Sequence, residues 1–360
     1  VKVIIAPDKF AGTLSAAEAA AAIADGWRSR RPDDTLVLAP MADGGAGTLD
    51  VVAAVVDGAE RVEVEVADAR GRARRASWLR LPDGRALVEA AEACGLAWLD
   101  ERERDPRVTT TYGVGQLLLA AQRIHPTEIV IGLGGTATND GGAGLAMALG
   151  SRLLCTDGNG LKVGADPLVD LHRIEYVAPD LAPVVVARDV DNPLLGPDGA
   201  VAVFGPQKGA READLPILEA ALRHFADVVE RDVPGGPWRD LQGAGAAGGL
   251  GFGLLAFCGA RMTRGAHTVA GLVGLDRHMG DADIVIAGEG KLDDQTAAGK
   301  TPAYVAERAR DAGARVLAVT GEVAGSGRNL FDSVAVLGPE GLRRPAELVA
   351  QRAAELAAGV

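Results

Sequence analysis

The chain has 360 residues, 48% of them apolar and 24% charged, a balance that excludes a disordered or fibrous chain and gives enough length for two domains, each with its own core. A formal net charge of -12 excludes a broadly basic nucleic-acid or anionic-membrane surface, because both need clustered Lys and Arg, so any phosphate affinity has to be local. Aromatics make up only 4% while glycines number 48, so Val, Leu, Ala and Ile fill the core and glycines shape many loops.

The three cysteines, Cys94, Cys155 and Cys258, are far apart and form no C-x-x-C pair, which argues against a disulfide framework or a zinc site. The first apolar run, Val1 to Ala6, is too short for a signal peptide, and no apolar stretch approaches the roughly 18 residues that span a bilayer, so a cytoplasmic protein is expected. In chain order, Val3 to Ala6 reads as a buried strand, and Ser15 with Glu18 is spaced as a capping box for an Ala-rich helix to Trp27. Thr35 to Ala39 repeats the pattern as strand, Gly-rich loop and helix, with Thr48 placed to cap that helix. Two such units predict a parallel, doubly wound sheet with ligands at the loops that follow its strands.

The pattern then changes. Arg61 to Val66 alternates with period two, and Ser77 to Leu81, the turn Pro82-Asp83-Gly84 and Arg85 to Val88 read as a hairpin, which suggests a domain boundary near residue 65. A helix from about Val114 to Ile124 precedes a strand at Ile129 to Ile131, which empties into Gly132-Leu133-Gly134-Gly135-Thr136-Ala137-Thr138-Asn139-Asp140-Gly141-Gly142. Such a loop is a backbone anion cradle beside a carboxylate, since glycines let N–H groups converge and threonines add hydroxyl donors. Strands follow at Arg152 to Cys155 and Val184 to Ala187, then a helix from about Asp214 to Glu230. Residues 243 to 253 are mostly Gly and Ala, which points to close backbone packing. Strand Asp283 to Ala287 carries a last major loop from Gly288 to Thr296. Simple order then returns with a helix from Pro302 capped by Thr301, strands Val316 to Thr320 and Ser333 to Leu337, and a closing helix.

Asp8-Lys9, Asp43-Gly44-Gly45, Thr138-Asn139-Asp140, Asp189-Val190-Asp191-Asn192 and Lys291-Leu292-Asp293-Asp294 all follow strands and share Gly, acid, and small hydroxyl or Lys. Phosphoryl transfer uses this mixture: donors for phosphate, lysine for charge balance, carboxylates for Mg²⁺ and one carboxylate for the attacking hydroxyl. A serine hydrolase is poorly supported, because no G-x-S-x-G is present. Only the tail of a Walker A motif occurs, Gly299-Lys300-Thr301. Gly132, Gly134 and Ala137, with Asp157 further on, fit a dinucleotide fingerprint, so an NAD-dependent oxidoreductase is the alternative enzyme reading. Against it, Asn139 to Gly142 interrupt the helix start and bring a negative charge where a pyrophosphate would rest.

Together these loops resemble the bacterial glycerate kinase family, in Ala6-Pro7-Asp8-Lys9-Phe10 with Gly12-Thr13-Leu14-Ser15, Ala42-Asp43-Gly44-Gly45, and the loop from Gly132 to Gly142. The resemblance continues in Asp189-Val190-Asp191-Asn192-Pro193-Leu194, Gly205-Pro206-Gln207-Lys208-Gly209-Ala210, Gly243 to Gly249, and Gly288-Glu289-Gly290-Lys291-Leu292-Asp293. It implies an α/β protein in which both chain ends form one Rossmann-like domain, 1–65 and 290–360, with 66–289 folded as an inserted α/β domain and the active site in the cleft. It also implies ATP-dependent, Mg²⁺-dependent phosphorylation of D-glycerate at the 2-hydroxyl, with small-molecule partners and no nucleic acid or membrane. Ala11, Ala46 and Arg188 depart from the commonest family pattern, which has Lys, Glu and Cys there, and the Ala11 and Ala46 departures leave room for a ligand-binding member without turnover. Within this frame Gly134, Gly135, Thr136 and Thr138, with Asn139 and Asp140, are expected at a phosphate. Lys291 would supply charge and Asp191 would orient the glycerate hydroxyl. Asp189 and Asp293 are candidate Mg²⁺ contacts, and Lys9, with Asp8 and Asp43, is a candidate for holding glycerate.

Overall fold

The computed structural model describes residues 1–297 and 300–360, so Gly299 of the partial Walker match lies outside the described residues. In chain order the strands are β1 (Lys2–Pro7), β2 (Thr35–Leu38), β3 (Glu60–Ala67), β4 (Ala73–Arg80), β5 (Ala86–Glu89), β6 (Ile129–Gly132) and β7 (Arg152–Cys155). They continue as β8 (Leu171–Glu175), β9 (Val184–Arg188), β10 (Arg261–Arg264), β11 (Ile284–Leu292), β12 (Arg315–Val323) and β13 (Ser333–Val336). The backbone gathers into two compact units, one of Val1–Asp43, Asp50–Asp57 and Gly265–Val360, the other of Gly44–Leu49 and Gly58–Arg264.

The first unit holds a five-stranded parallel sheet in the order β13-β12-β11-β1-β2. Counted within the unit this is the 2-1-3-4-5 order of a doubly wound sheet, whose ligand position lies where the order reverses, here between β1 and β11. Val3, Ile5, Ile286 and Val319 bury one face of the sheet against Ile23 and Trp27 of helix Ala16–Arg28. That helix begins with the capping box: Glu18 N donates to Ser15 Oγ at 3.2 Å and Ser15 N donates to Glu18 Oε2 at 2.9 Å. Near its other end Gly26 meets helix Pro345–Ala358 so closely that a Cβ would stand 2.0 Å from the Ala350 carbonyl oxygen. Only glycine lets the two backbones approach this far.

The second unit is built on a six-stranded mixed sheet in the order β10-β9-β6-β5-β4-β3. β3, β4 and β5 are antiparallel, and β5, β6, β9 and β10 are parallel. Val62, Val64 and Val66 of β3 share the face that packs on the core, as their spacing predicts, and the expected hairpin is β4–β5. β7 leaves this sheet and pairs antiparallel with β8. The Gly-Ala segment is ordered structure: Ala247, Gly248 and Gly249 all have positive φ within Ala246–Cys258, and a Cβ on Gly248 would lie 1.9 Å from the Thr138 carbonyl oxygen.

Four elements differ from expectation. β8 and β10 have polar sequences, Leu-His-Arg-Ile-Glu and Arg-Met-Thr-Arg, with no apolar run to announce them. β11 continues past Ala287 to Leu292, paired with β12 through Lys291 opposite Glu322, so Gly288 to Leu292 is strand rather than loop. The helix before Asp311 starts at Thr301, with Lys300 as the residue before it, so Thr301 lies inside the helix it was expected to cap. Among the described residues no helix is long and apolar enough to cross a membrane.

Candidate active site

In the first unit the chemistry lies at the C-terminal ends of β1 and β11. Asp8 N donates to the Gly288 carbonyl oxygen at 2.8 Å, which closes the two strand ends together. The Asp8 carboxylate is buried, and burial with the nearby charge of Asp43 pushes it up to about 7, against the opposing pull of Lys9. Glu289 on β11 is likewise pushed up to about 7, first by burial, and it feels the charges of Asp8 and Asp293. The buried Thr296 hydroxyl donates to Glu289 Oε1, and Thr296 N donates to Asp293 Oδ1 at 3.1 Å, so Asp293 starts the short helix Asp294–Ala297. Lys291 is exposed on the strand extension, 3.7 Å from Glu322. These carboxylates form an anionic group that a cation would relieve. Among the described residues no three His, Cys, Asp or Glu side chains form a ready metal cage. The oxygen-only donors suit Mg²⁺, which proteins hold through one or two carboxylates completed by phosphate and water.

In the second unit a cleft of about 270 Å³ is lined by Gly134, Gly135, Thr136, Arg188, Asp189 and Lys208, with apolar residues that include Leu133 and Phe204. The loop after β6 is positioned by backbone-to-backbone packing. A Cβ on Gly132 would lie 2.2 Å from the Gly44 carbonyl oxygen, and one on Gly134 would lie 2.6 Å from Gly45 Cα. The Gly44–Leu49 stretch is in turn fixed by Glu89 at the end of β5, whose carboxylate accepts from Gly47 N at 3.2 Å and from Leu49 N. Thr136 Oγ1 is buried and has no hydrogen-bond partner, as are both side-chain amide atoms of Asn139. An orphaned buried hydroxyl beside exposed glycine backbone fits a phosphate oxygen.

Asp140 does not reach this cleft. Its carboxylate is fully buried and accepts from Thr111 N at 2.8 Å, Thr111 Oγ1 at 3.0 Å, Gly142 N at 3.2 Å and Gly144 N at 3.2 Å. Burial raises its pKa and these donors oppose the rise. Asp140 thus saturates the N-terminus of helix Ala143–Ala148, where a dinucleotide pyrophosphate would have to sit. β7, which a Rossmann unit would place in the same sheet as β6, lies in another sheet, and Asp157 closes a local turn by accepting from Asn159. Both observations weigh against the dinucleotide reading. Thr138, also fully buried, faces inward: its carbonyl accepts from Lys208 Nζ at 2.7 Å.

Asp189 and Asp191 follow β9. Asp189 lines the cleft, whereas Asp191 is half exposed and pairs with the guanidinium of Arg188, one of the departures from the family pattern. The side chains that sequence reasoning missed are Glu289, Glu89 and Lys208. Glu289 and Lys208 stood inside quoted motifs, but nothing in their spacing signals burial; Glu89 sits at a strand end with no motif around it.

The model of the glycerate kinase family matches residues 3–348. The chain is 41% identical over 351 residues to the glycerate 2-kinase of Escherichia coli K12, covering 95% of this chain and 89% of that protein. It is 43% identical over 328 residues to a glycerate kinase of Bacillus subtilis 168, covering 90% and 85%. It also superposes on the crystal structure of a candidate glycerate kinase 2 from Salmonella typhimurium LT2 with a TM-score of 0.88 and 38% identity, covering 100% of this chain and 98% of that one. The α/β fold and the matched motifs therefore have one source: the chain belongs to the glycerate kinase family, and it is a kinase.

Proposed function

We propose that the chain transfers the γ-phosphoryl group of ATP to the 2-hydroxyl of D-glycerate, giving 2-phospho-D-glycerate and ADP. The observation that carries this reading is the small cleft of the second unit, with Gly134, Gly135 and the orphaned Thr136 hydroxyl on one wall and Lys208 on another. At about 270 Å³ it suits a phosphoryl group or a three-carbon acid, and is below the usual size of a pocket for a drug-sized ligand. Gly134, Gly135 and Thr136 supply donors, and Thr138 supports the loop from behind. Asp191 orients the acceptor hydroxyl, Lys9 holds the glycerate carboxylate, Asp8 and Asp43 contact the substrate beside it, and Lys291 adds positive charge. Asp189 and Asp293 are the residues proposed to contact Mg²⁺, which when bound neutralises phosphate charge. The naming of the Escherichia coli relative as a glycerate 2-kinase supports the 2-position. A cytoplasmic setting follows from this chemistry, since ATP is its donor.

The test is ADP release from Mg-ATP on addition of D-glycerate. Glycerate-dependent release is expected. Binding of glycerate without release would replace the proposal with a non-catalytic member of the family, and absorbance changes that depend on a nicotinamide cofactor would replace it with an oxidoreductase.

A further inference from the structure

Lys208 is 2% exposed, and an ammonium carries three N–H donors. Its only hydrogen bond among the described residues is to the Thr138 carbonyl oxygen, and no carboxylate lies within ion-pair distance of it. Asp140 is close enough to be felt electrostatically, but its own oxygens are occupied by Thr111, Gly142 and Gly144. A buried cation with unmet donors is costly, and such groups are ordinarily satisfied by water or a ligand. Lys208 borders the same cleft as Gly134, Gly135 and the unpartnered Thr136 hydroxyl. Arg188, the other cation on this wall, is already paired with Asp191 and also donates to the Val190 carbonyl oxygen. Arg188 Nε is itself buried without a partner, but its guanidinium has the Asp191 carboxylate beside it, so among the described residues Lys208 is the cation of this cleft with no ion-pair partner.

We propose that Lys208 is an oxyanion ligand of this cleft, its ammonium hydrogen-bonded to an oxygen of the phosphoryl group that sits over Gly134–Thr136. The proposal deepens the kinase reading and rests on that loop facing an oxyanion. Burial lowers the Lys208 pKa to about 8, leaving the ammonium protonated for the most part at neutral pH while keeping it poorly hydrated. A charge-assisted bond from such a donor is stronger than one made in water. A merely structural lysine would hold Thr138 in place and be indifferent to ligand.

The experiment compares the full chain with Lys208→Met, which keeps the length of the stem and removes the charge, by calorimetric titration with inorganic phosphate and separately with D-glycerate. Loss of phosphate affinity by about 10- to 100-fold, with unchanged D-glycerate affinity and an intact far-ultraviolet spectrum, is expected. If the loss falls on D-glycerate alone, the phosphoryl assignment is overturned in favour of a carboxylate. Unchanged affinity for both in a folded variant overturns the role of Lys208 altogether. Should the variant not fold, the wild-type Lys208 ammonium is followed by nitrogen NMR in lysine-labelled protein. A shift on adding inorganic phosphate supports the proposal, and an unmoved resonance under saturating phosphate overturns it. ADP release by the wild type, measured alongside, tests the kinase reading separately.

Discussion

Gly248→Ala is the substitution whose consequence can be worked most fully from the structure. Gly248 has φ +69°, and a Cβ there would stand 1.9 Å from the Thr138 carbonyl oxygen and 2.8 Å from Asn139 Cα, against about 3.5 Å for an ordinary contact. Both atoms are backbone, so no rotamer change relieves the overlap. The left-handed conformation costs alanine about 1–2 kcal/mol and forced overpacking adds about 1–3, for a total of about 2–5 kcal/mol. For a unit of this size that corresponds to a melting point lower by roughly 5–15 °C in calorimetry. Gly158→Ala isolates the first contribution, because Gly158 has φ +81° with nothing within 4 Å of the added carbon. The displaced Thr138–Asn139 backbone also carries the phosphate loop, so the rate with Mg-ATP and D-glycerate should fall about 100-fold for Gly248→Ala, as for a misplacement of about 1 Å. Equal melting points and equal rates for the two variants would refute the packing argument.

Gly26→Ala should destabilise by about 1–3 kcal/mol in urea unfolding, although alanine ordinarily favours a helix, because its Cβ would strike the Ala350 carbonyl oxygen. Asp140→Asn should cost about 2–4 kcal/mol in the same assay, since an amide replaces a carboxylate that accepts from three backbone N–H groups and the Thr111 hydroxyl. Asp8→Asn should stabilise the ligand-free protein while reducing turnover. The folded carboxyl is raised from 3.8 to about 7, so the native state holds more protons than the unfolded chain between these values, and stability falls as pH rises through the window. The advantage of Asp8→Asn in thermal unfolding should therefore be absent near pH 3.5 and grow to at most about 4 kcal/mol by pH 8. A constant difference across that range would remove burial of the charge as the cause.

The doubly wound sheet was legible because β1, β11 and β12 are short apolar runs followed by glycine and acid, and because Ser15 and Glu18 announce their helix. The hairpin was legible from Pro82-Asp83-Gly84 between alternating segments. β10 was not, since an edge strand paired with one neighbour needs no apolar run, and Arg261 to Arg264 offers none. The extension of β11 through Lys291 was hidden by Gly288 and Gly290, which look like loop residues until Gly321 on β12 brings its backbone against Gly290. At the site, residue types were readable but their surroundings were not. Asp140 and Asp189 look alike in the sequence, yet one is saturated by backbone donors and the other lines a cleft. Lys208 gave no local sign, because the partner of its ammonium, the Thr138 carbonyl oxygen, lies 70 positions away.

The most direct test is phosphorus NMR of the product formed from Mg-ATP and D-glycerate by the purified protein. The account predicts ADP with 2-phosphoglycerate as the new phosphomonoester, and no such product when glycerate is left out. A 3-phosphoglycerate resonance would contradict the assigned position of transfer, and ATP left intact beside glycerate would contradict the catalytic reading itself.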